Sequence, residues 1–168
     1  MKKNYLLLTI ALVCMMAACA TLTPEEKAAR EAATKESVKT AVASQKYKIY
    51  VTSIKPMRGN ERTISGPWLK VDSTIVDCML PYAGLDDIPH PKTRGEVRAG
   101  SKMEFKSEMR DYVLSIQPKD ERAIISFKAN DHGFECKFTI IIENTGSAKI
   151  HVEPENRDFI DYEGRVSL

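Results

Sequence analysis

The chain has 168 residues and a nearly balanced charge, with 25 basic and 23 acidic residues and a formal net charge of +2. Lys2 and Lys3 lie in an N-terminal segment without acidic residues, so the rest of the chain is neutral overall. This balance excludes the strongly basic surface that neutralises phosphates, and we expect no nucleic-acid partner. The length is typical of one domain with its own core.

The N-terminal segment has the three-part build of a bacterial lipoprotein signal peptide. Lys2 and Lys3 precede an apolar run, residues 5–16, which ends at Ala17-Ala18-Cys19. The run is shorter than the roughly 20 apolar residues that cross a bilayer. We therefore predict cleavage before Cys19 and acylation of this residue, for example with palmitate, which would anchor the mature protein to a membrane. An ordinary secretory signal is the alternative.

The expected location is the cell envelope. Ala20 supplies no acidic residue directly after the acylated cysteine, and we therefore expect an outer-membrane lipoprotein that faces the periplasm. Exposure at the cell surface stays open. The predicted division of the chain is a signal peptide over residues 1–18, a lipidated N-terminus with a spacer helix over 19–44, and a β domain over 45–168.

A helix is predicted over residues 24–44. Thr23 is a helix cap, Pro24 fits the first helical position, and Glu26 completes a capping box. The helix is rich in Ala, Glu and Lys, and its apolar stripe is thin. It could be a spacer that packs lightly on the core, or Val38 and Val42 could plug an open end of the β domain.

After Gln45 the hydrophobic period changes to two, which is typical of strands with one buried face. Turn residues separate the segments, and no helical pattern lies between them. The sequence predicts a mainly β fold, an antiparallel sandwich or small barrel of about eight or nine strands with one N-terminal helix. The predicted strands are 47–51, 68–71, 74–80, 102–107, 111–117, 122–129, 133–143, 148–153 and 159–164.

The alternation also predicts which side chains point into the core. The expected inward positions are Val76, Cys78, Leu80, Tyr112, Leu114, Ile116, Ala123, Ile125, Phe127, Phe134, Cys136, Phe138, Ile140 and Ile142. Cys78 and Cys136 are the pair that remains once the signal peptide is removed and Cys19 is acylated. In an exported protein they could form a disulfide if their Cα atoms come within about 4.4–6.8 Å, or stay buried free thiols.

Three patches in fixed order resemble one family. Residues 56–59 read Pro-Met-Arg-Gly, residues 80–84 read Leu-Pro-Tyr-Ala-Gly, and Asn-Arg at 156–157 precedes Ile-Asp-Tyr-Glu-Gly at 160–164. Together they resemble an uncharacterised lipoprotein family of Bacteroides-type Gram-negative bacteria, known only as a domain of unknown function. The resemblance covers residues 44–166 and implies an envelope location and a mostly β fold. It implies no activity and no catalytic residues.

These patches contain the candidate ligand or partner surface. Arg58, Tyr82, Arg157 and Tyr162 could line a pocket or meet an anion. Each also has a plain structural role, since proline and glycine form turns and an arginine beside a strand often pairs at the sheet edge.

One loop carries Asp86, Asp87 and His90, which could in principle hold a metal or serve an envelope hydrolase. His132 and His151 show no ligand spacing towards this loop, and no nucleophile motif is present. We therefore predict no metal, no cofactor and no catalytic residue.

The favoured function is a non-enzymatic, membrane-anchored binding or assembly module. Its partner would be a small apolar or amphipathic ligand, a glycan, or another envelope protein. The alternative is an envelope hydrolase of unrecognised type. A deep pocket with convergent polar groups and perturbed carboxylates would favour the hydrolase, whereas a filled interior would favour the binding module.

Overall fold

The computed structural model describes residues 23–82, 101–117, 119 and 121–167. The chain divides into two compact units, Met1–Ala32 and Ala33–Leu168. The elements in chain order are α1 (Pro24–Ala43), β1 (Lys46–Pro56), β2 (Arg62–Thr63), β3 (Trp68–Asp72), β4 (Ile75–Tyr82), β5 (Ser101–Glu108), β6 (Arg110–Gln117), β7 (Arg122–Asp131), β8 (Phe134–Glu143), β9 (Ser147–Pro154) and β10 (Ile160–Ser167).

The described part of the first unit is the N-terminal half of α1, which begins with the predicted capping box. The backbone amide of Glu26 donates to Thr23 Oγ1 at 3.2 Å, and the amide of Thr23 donates to Glu26 Oε2 at 3.0 Å. These two bonds satisfy amides that have no acceptor inside the helix. Among the described residues, no helix is long and apolar enough to cross a membrane.

The second unit contains the rest of α1 and one antiparallel sheet of ten strands. The strand order is β5-β4-β3-β1-β10-β9-β8-β7-β6, and the short β2 pairs with β1. The mainly β fold with one N-terminal helix is confirmed, and each of the nine predicted strands is present. The tenth, β2, has only two residues and therefore carries no periodic signal.

The sheet is sandwich-like and does not close into a hydrogen-bonded barrel within the described residues. β5 pairs with β4 and β6 pairs with β7, yet Met109 alone separates β5 from β6. The chain bends here, because Asp111 has a φ of 55° and the register of β6 shifts between Arg110 and Val113. One long strand therefore leaves the partner β4 and joins β7, as strands do at the corners of folded-over sheets.

Stacked aromatic rings fill the space inside the sheet. The rings of Phe127 and Phe138 stack with centroids 5.0 Å apart, Phe105 meets Phe138 edge-on, and Tyr112 stacks on Phe127. Most of the predicted inward positions are buried or half-buried against this core. The buried side chains form one hydrophobic cluster.

Ile116 is the exception, and its prediction as a core residue is wrong. Its side chain is 57 % exposed, although its partner Ala123 on β7 packs against the core. Ile116 lies near the end of β6, an outermost strand of the sheet. Its neighbouring strand in the described sheet is β7, on one side. Period-two alternation gives the face of a residue and says nothing about what covers that face.

The C-terminal half of α1 contributes two residues to the core of the second unit. Val38 and Val42 are buried, and Val38 lies beside Gly146 in the turn between β8 and β9. The helix ends where Gln45 takes a φ of 54°, and the carbonyl oxygen of Gln45 then accepts from the amide of Ser73 at 2.8 Å. This half of the helix is therefore packed onto the strands.

Candidate functional site

A small apolar cleft lies between the C-terminal half of α1 and the adjoining ends of β6, β7 and β8. Its volume is about 200 Å³. Val38 and Val42 from the helix and Ile142 from β8 form its buried floor, and Ala123 from β7 is half-buried in its wall. The exposed side chain of Ile116 forms its lip, so the residue that departs from the predicted core belongs to this cleft.

Polar side chains at the rim of the cleft pair with one another. Glu121 accepts hydrogen bonds from Lys35 Nζ and from Asn144 Nδ2. The bond from Lys35 and its positive charge hold the pKa of Glu121 below its usual range. Arg122 Nε donates to Gln117 Oε1 at 2.9 Å. A carboxylate that stays ionised beside an ammonium group is a poor proton donor, so Glu121 is suited to pairing with cations.

The four residues predicted as a ligand or partner surface do come together, at the loop that precedes β10. The guanidinium of Arg157 lies 5.1 Å from the centroid of the Tyr82 ring. The Tyr82 hydroxyl donates to the carbonyl oxygen of Asp158 at 3.1 Å, and Arg58 Nε lies 3.9 Å from Asp158 Oδ2. The Tyr162 hydroxyl donates to the carbonyl oxygen of Pro81 at 2.8 Å.

Burial limits what this cluster can bind. The side chains of Tyr82 and Tyr162 are each 1 % exposed, and both hydroxyls donate to backbone carbonyls. Burial is also the main reason that the pKa of Tyr162 lies well above its usual value. The two tyrosines therefore tie the C-terminal strand to β4, and the exposed Arg58 is the member that solvent reaches most easily.

Asp131 joins the same cluster, and sequence reasoning missed it. Among the described residues, Asp131 is the charged residue that is buried, with 3 % of its surface exposed. His132 Nδ1 lies 2.7 Å from its Oδ1, and Arg157 Nη1 lies 3.6 Å from its Oδ2. Asp131 occurs in Asn-Asp-His-Gly, which is a strong turn signal. The turn alone explains an aspartate at this position, so the sequence does not indicate its pairing with Arg157.

Cys78 and Cys136 are both buried free thiols in the structure. Cys78 Sγ lies 3.8 Å from the carbonyl oxygen of Met103. Burial is the largest cause of the raised pKa of both thiols, and it raises the pKa of Cys136 to about 12. Because the thiolate is the nucleophile, a raised pKa and burial both disfavour reaction at these cysteines.

His151 lies on the outer face of the sheet between two carboxylates. Its Nδ1 lies 2.5 Å from Asp161 Oδ1, and its Nε2 lies 3.1 Å from Glu153 Oε1. Burial lowers its pKa, but the two carboxylates outweigh burial and the net shift is upward. The carboxylates meet opposite sides of the ring and do not converge on one point. Within the described ranges, no group of three or more His, Cys, Asp or Glu could hold a metal ion.

The remaining predicted residues lie outside the described part of the chain. They are Cys19, the proposed lipid attachment site, and the loop residues Asp86, Asp87 and His90.

Comparisons with known proteins place the chain in a family without assigning an activity. Residues 29–166 match the model of the family described as Domain of unknown function (DUF4251), so the chain belongs to that family. The fold is similar to the crystal structure, at 1.95 Å resolution, of a DUF4251 family protein from Bacteroides eggerthii DSM 20697. The TM-score is 0.62 at 13 % identity, over 82 % of this chain and 89 % of the other. No curated protein matches.

Proposed function

We propose that this DUF4251 protein is a lipid-anchored binding module of the cell envelope that takes a small apolar or amphipathic ligand in the cleft under α1. The observation that carries the proposal is the cleft itself, where Ile116 is exposed above a floor of Val38, Val42 and Ile142. Ligand sites of small molecules are typically concave and apolar, with a few polar groups at the edge.

A binding role without catalysis fits the chemistry of the groups around the cleft. Glu121 is held ionised by Lys35, and Arg122 is hydrogen-bonded to Gln117. Neither arrangement resembles a nucleophile with an adjacent base. The floor residues Val38, Val42 and Ile142 are apolar and buried, so they offer a packed apolar surface. These features favour the binding module over an envelope hydrolase.

The cleft is tested with a neutral, environment-sensitive dye and two matched variants. Ile116 and Val113 lie on the same strand, and each is 57 % exposed. Of these two residues, only Ile116 lines the cleft. We expect Ile116→Asn to weaken dye binding about tenfold, as the loss of one apolar contact would, and Val113→Asn to leave it unchanged. Equal effects of the two variants, or no dye binding at all, would contradict the proposal.

The anchor is the second part of the proposal, and its support is the Met16-Ala17-Ala18-Cys19 sequence after a short apolar run. The lipid would place the protein on the outer membrane, facing the periplasm. Cys19→Ser removes the sulfur atom to which a thioether-linked lipid would be attached. We expect the wild-type N-terminal peptide to begin at Cys19 with acyl mass, and the variant to leave the membrane fraction. A wild-type peptide without acyl mass would contradict the anchor and leave the cleft untouched.

A further inference from the structure

Among the described residues that line the cleft, the charged side chains sum to one positive charge in excess. The charged side chains that line it are Lys35, Lys39, Arg122, Glu121 and Glu143. Lys35 is bound to Glu121. Arg122 and Glu143 are directly opposite each other on β7 and β8, so their charges offset. Within the described lining, Lys39 is left as the cation without an acidic residue opposite it.

Lys39 is available to a ligand. Its Nζ lies 3.9 Å from Glu36 Oε1, one turn back on the helix, and both side chains are mostly exposed. Such an exposed pair between neighbours on a helix contributes little, because water and salt screen it. The ammonium group can therefore turn from Glu36 to an anion above the cleft at small cost.

From this charge pattern we infer that the cleft binds an anionic amphiphile, namely a single medium-length acyl chain whose carboxylate meets Lys39. The inference rests on the proposed function and specifies its ligand. The tail would lie on Val38, Val42 and Ile142, with Ile116 over it. The volume of about 200 Å³ is below the usual range of roughly 300–1,000 Å³ for drug-sized ligands, which favours one short chain over a bulky or two-chain lipid.

The test compares three ligands with the same eight-carbon tail and different head groups: octanoate, octanol and octyltrimethylammonium. The protein for this test is residues 19–168 with Cys19→Ser, which is the chain after the predicted cleavage, without its lipid. Displacement of the neutral dye measures the binding of each ligand. We expect octanoate to bind about three- to fivefold more tightly than octanol, and the ammonium compound to bind most weakly. The preference should shrink in high salt, because the ammonium group of Lys39 is exposed.

Lys39→Ala should abolish the preference for octanoate over octanol. Lys27→Ala is the matched control, since Lys27 is an exposed lysine of the same helix that does not line the cleft. Equal binding of octanoate and octanol, or an unchanged preference in Lys39→Ala, would overturn the head-group assignment while the cleft stands. If none of the three compounds displaces the dye, the proposed ligand class fails as a whole.

Discussion

The hydroxyl of Tyr162 on β10 donates to the carbonyl oxygen of Pro81 on β4 at 2.8 Å, although the two residues are 81 positions apart. β4 and β10 are not neighbours in the sheet, because β3 and β1 lie between them. The bond therefore crosses the interior of the fold and links its two halves. The side chain of Tyr162 is 1 % exposed, so water could not take the place of its hydroxyl if that group were removed.

Tyr162→Phe should therefore lower the free energy of unfolding by about 1–2 kcal/mol, since it leaves the Pro81 carbonyl without its donor and changes the shape of the core very little. Urea titration measures the change. Tyr50→Phe is the control, because Tyr50 is nearly half exposed. Losses of the same size at both positions would show that the bond to Pro81 contributes nothing specific.

Phe138→Ala should cost about 3–5 kcal/mol of unfolding free energy, because it removes a buried ring from the stack with Phe127 and leaves a cavity. Lys137→Ala, on the outer face of the same strand, should have little effect. Both values come from denaturant titration. A comparable loss at Lys137 would mean that the two faces of β8 are not as distinct as the burial pattern indicates.

Val42→Ala should cost about 1–3 kcal/mol, because it removes two buried methyl groups where α1 packs on the strands. Thr40→Ala, at an exposed position of the same helix, should cost far less. A chain that begins at Gln45 loses both buried valines, and we expect its thermal transition to fall well below that of a chain that begins at Ala33. Equal stability of these two chains would favour a pure spacer role for the helix.

The ion pairs of His151 should make stability depend on pH. Its pKa in the folded protein is raised above the ordinary value of 6.5, against the opposing effect of burial. The protonated form is therefore favoured by folding, and its contribution is complete below the unfolded pKa and is lost as pH rises through the folded pKa. The free energy of unfolding of the wild type, relative to that of His151→Gln, should therefore fall as the pH rises from the unfolded pKa through the folded pKa. Denaturant titrations at several pH values, with an NMR titration of the imidazole, measure it. A difference that is independent of pH would contradict the expectation.

Cys78 and Cys136 should resist alkylation in the folded protein at neutral pH and react completely once it is unfolded. Burial raises the pKa of both thiols, so almost no thiolate is present, and neither sulfur reaches solvent. Mass spectrometry of a chain that begins at Ala20, which lacks the other two cysteines, counts the modified thiols. If the unfolded but unreduced protein accepts no label, the two cysteines are joined in a disulfide.

Sequence patterns predicted the strands and the inner faces because both depend on local periodicity. Cys136 and Phe138 alternate with Lys137 and Thr139, and the burial of the first two follows directly. The exposure of Ile116 depends on how far α1 reaches across the end of the sheet, which no local pattern encodes. The cleft was therefore missing from the sequence-based expectations. Arg58, Tyr82 and Arg157 were candidates because they lie in the motif patches, whereas the pairing of Asp131 with Arg157 requires the three-dimensional register.

The pairing of β1 with β10 has a consequence for the order in which the protein folds. Thr52 and Glu163, which are hydrogen-bonded across this pair, are 111 positions apart in the chain. The middle of the sheet therefore stays incomplete until β10 is available to pair with β1. The hairpins β3–β4 and β7–β8 can form early from local contacts, but they remain two separate halves until the C-terminal strand arrives. Chains that lose only their final ten residues should accordingly be caught by quality control as unfinished molecules.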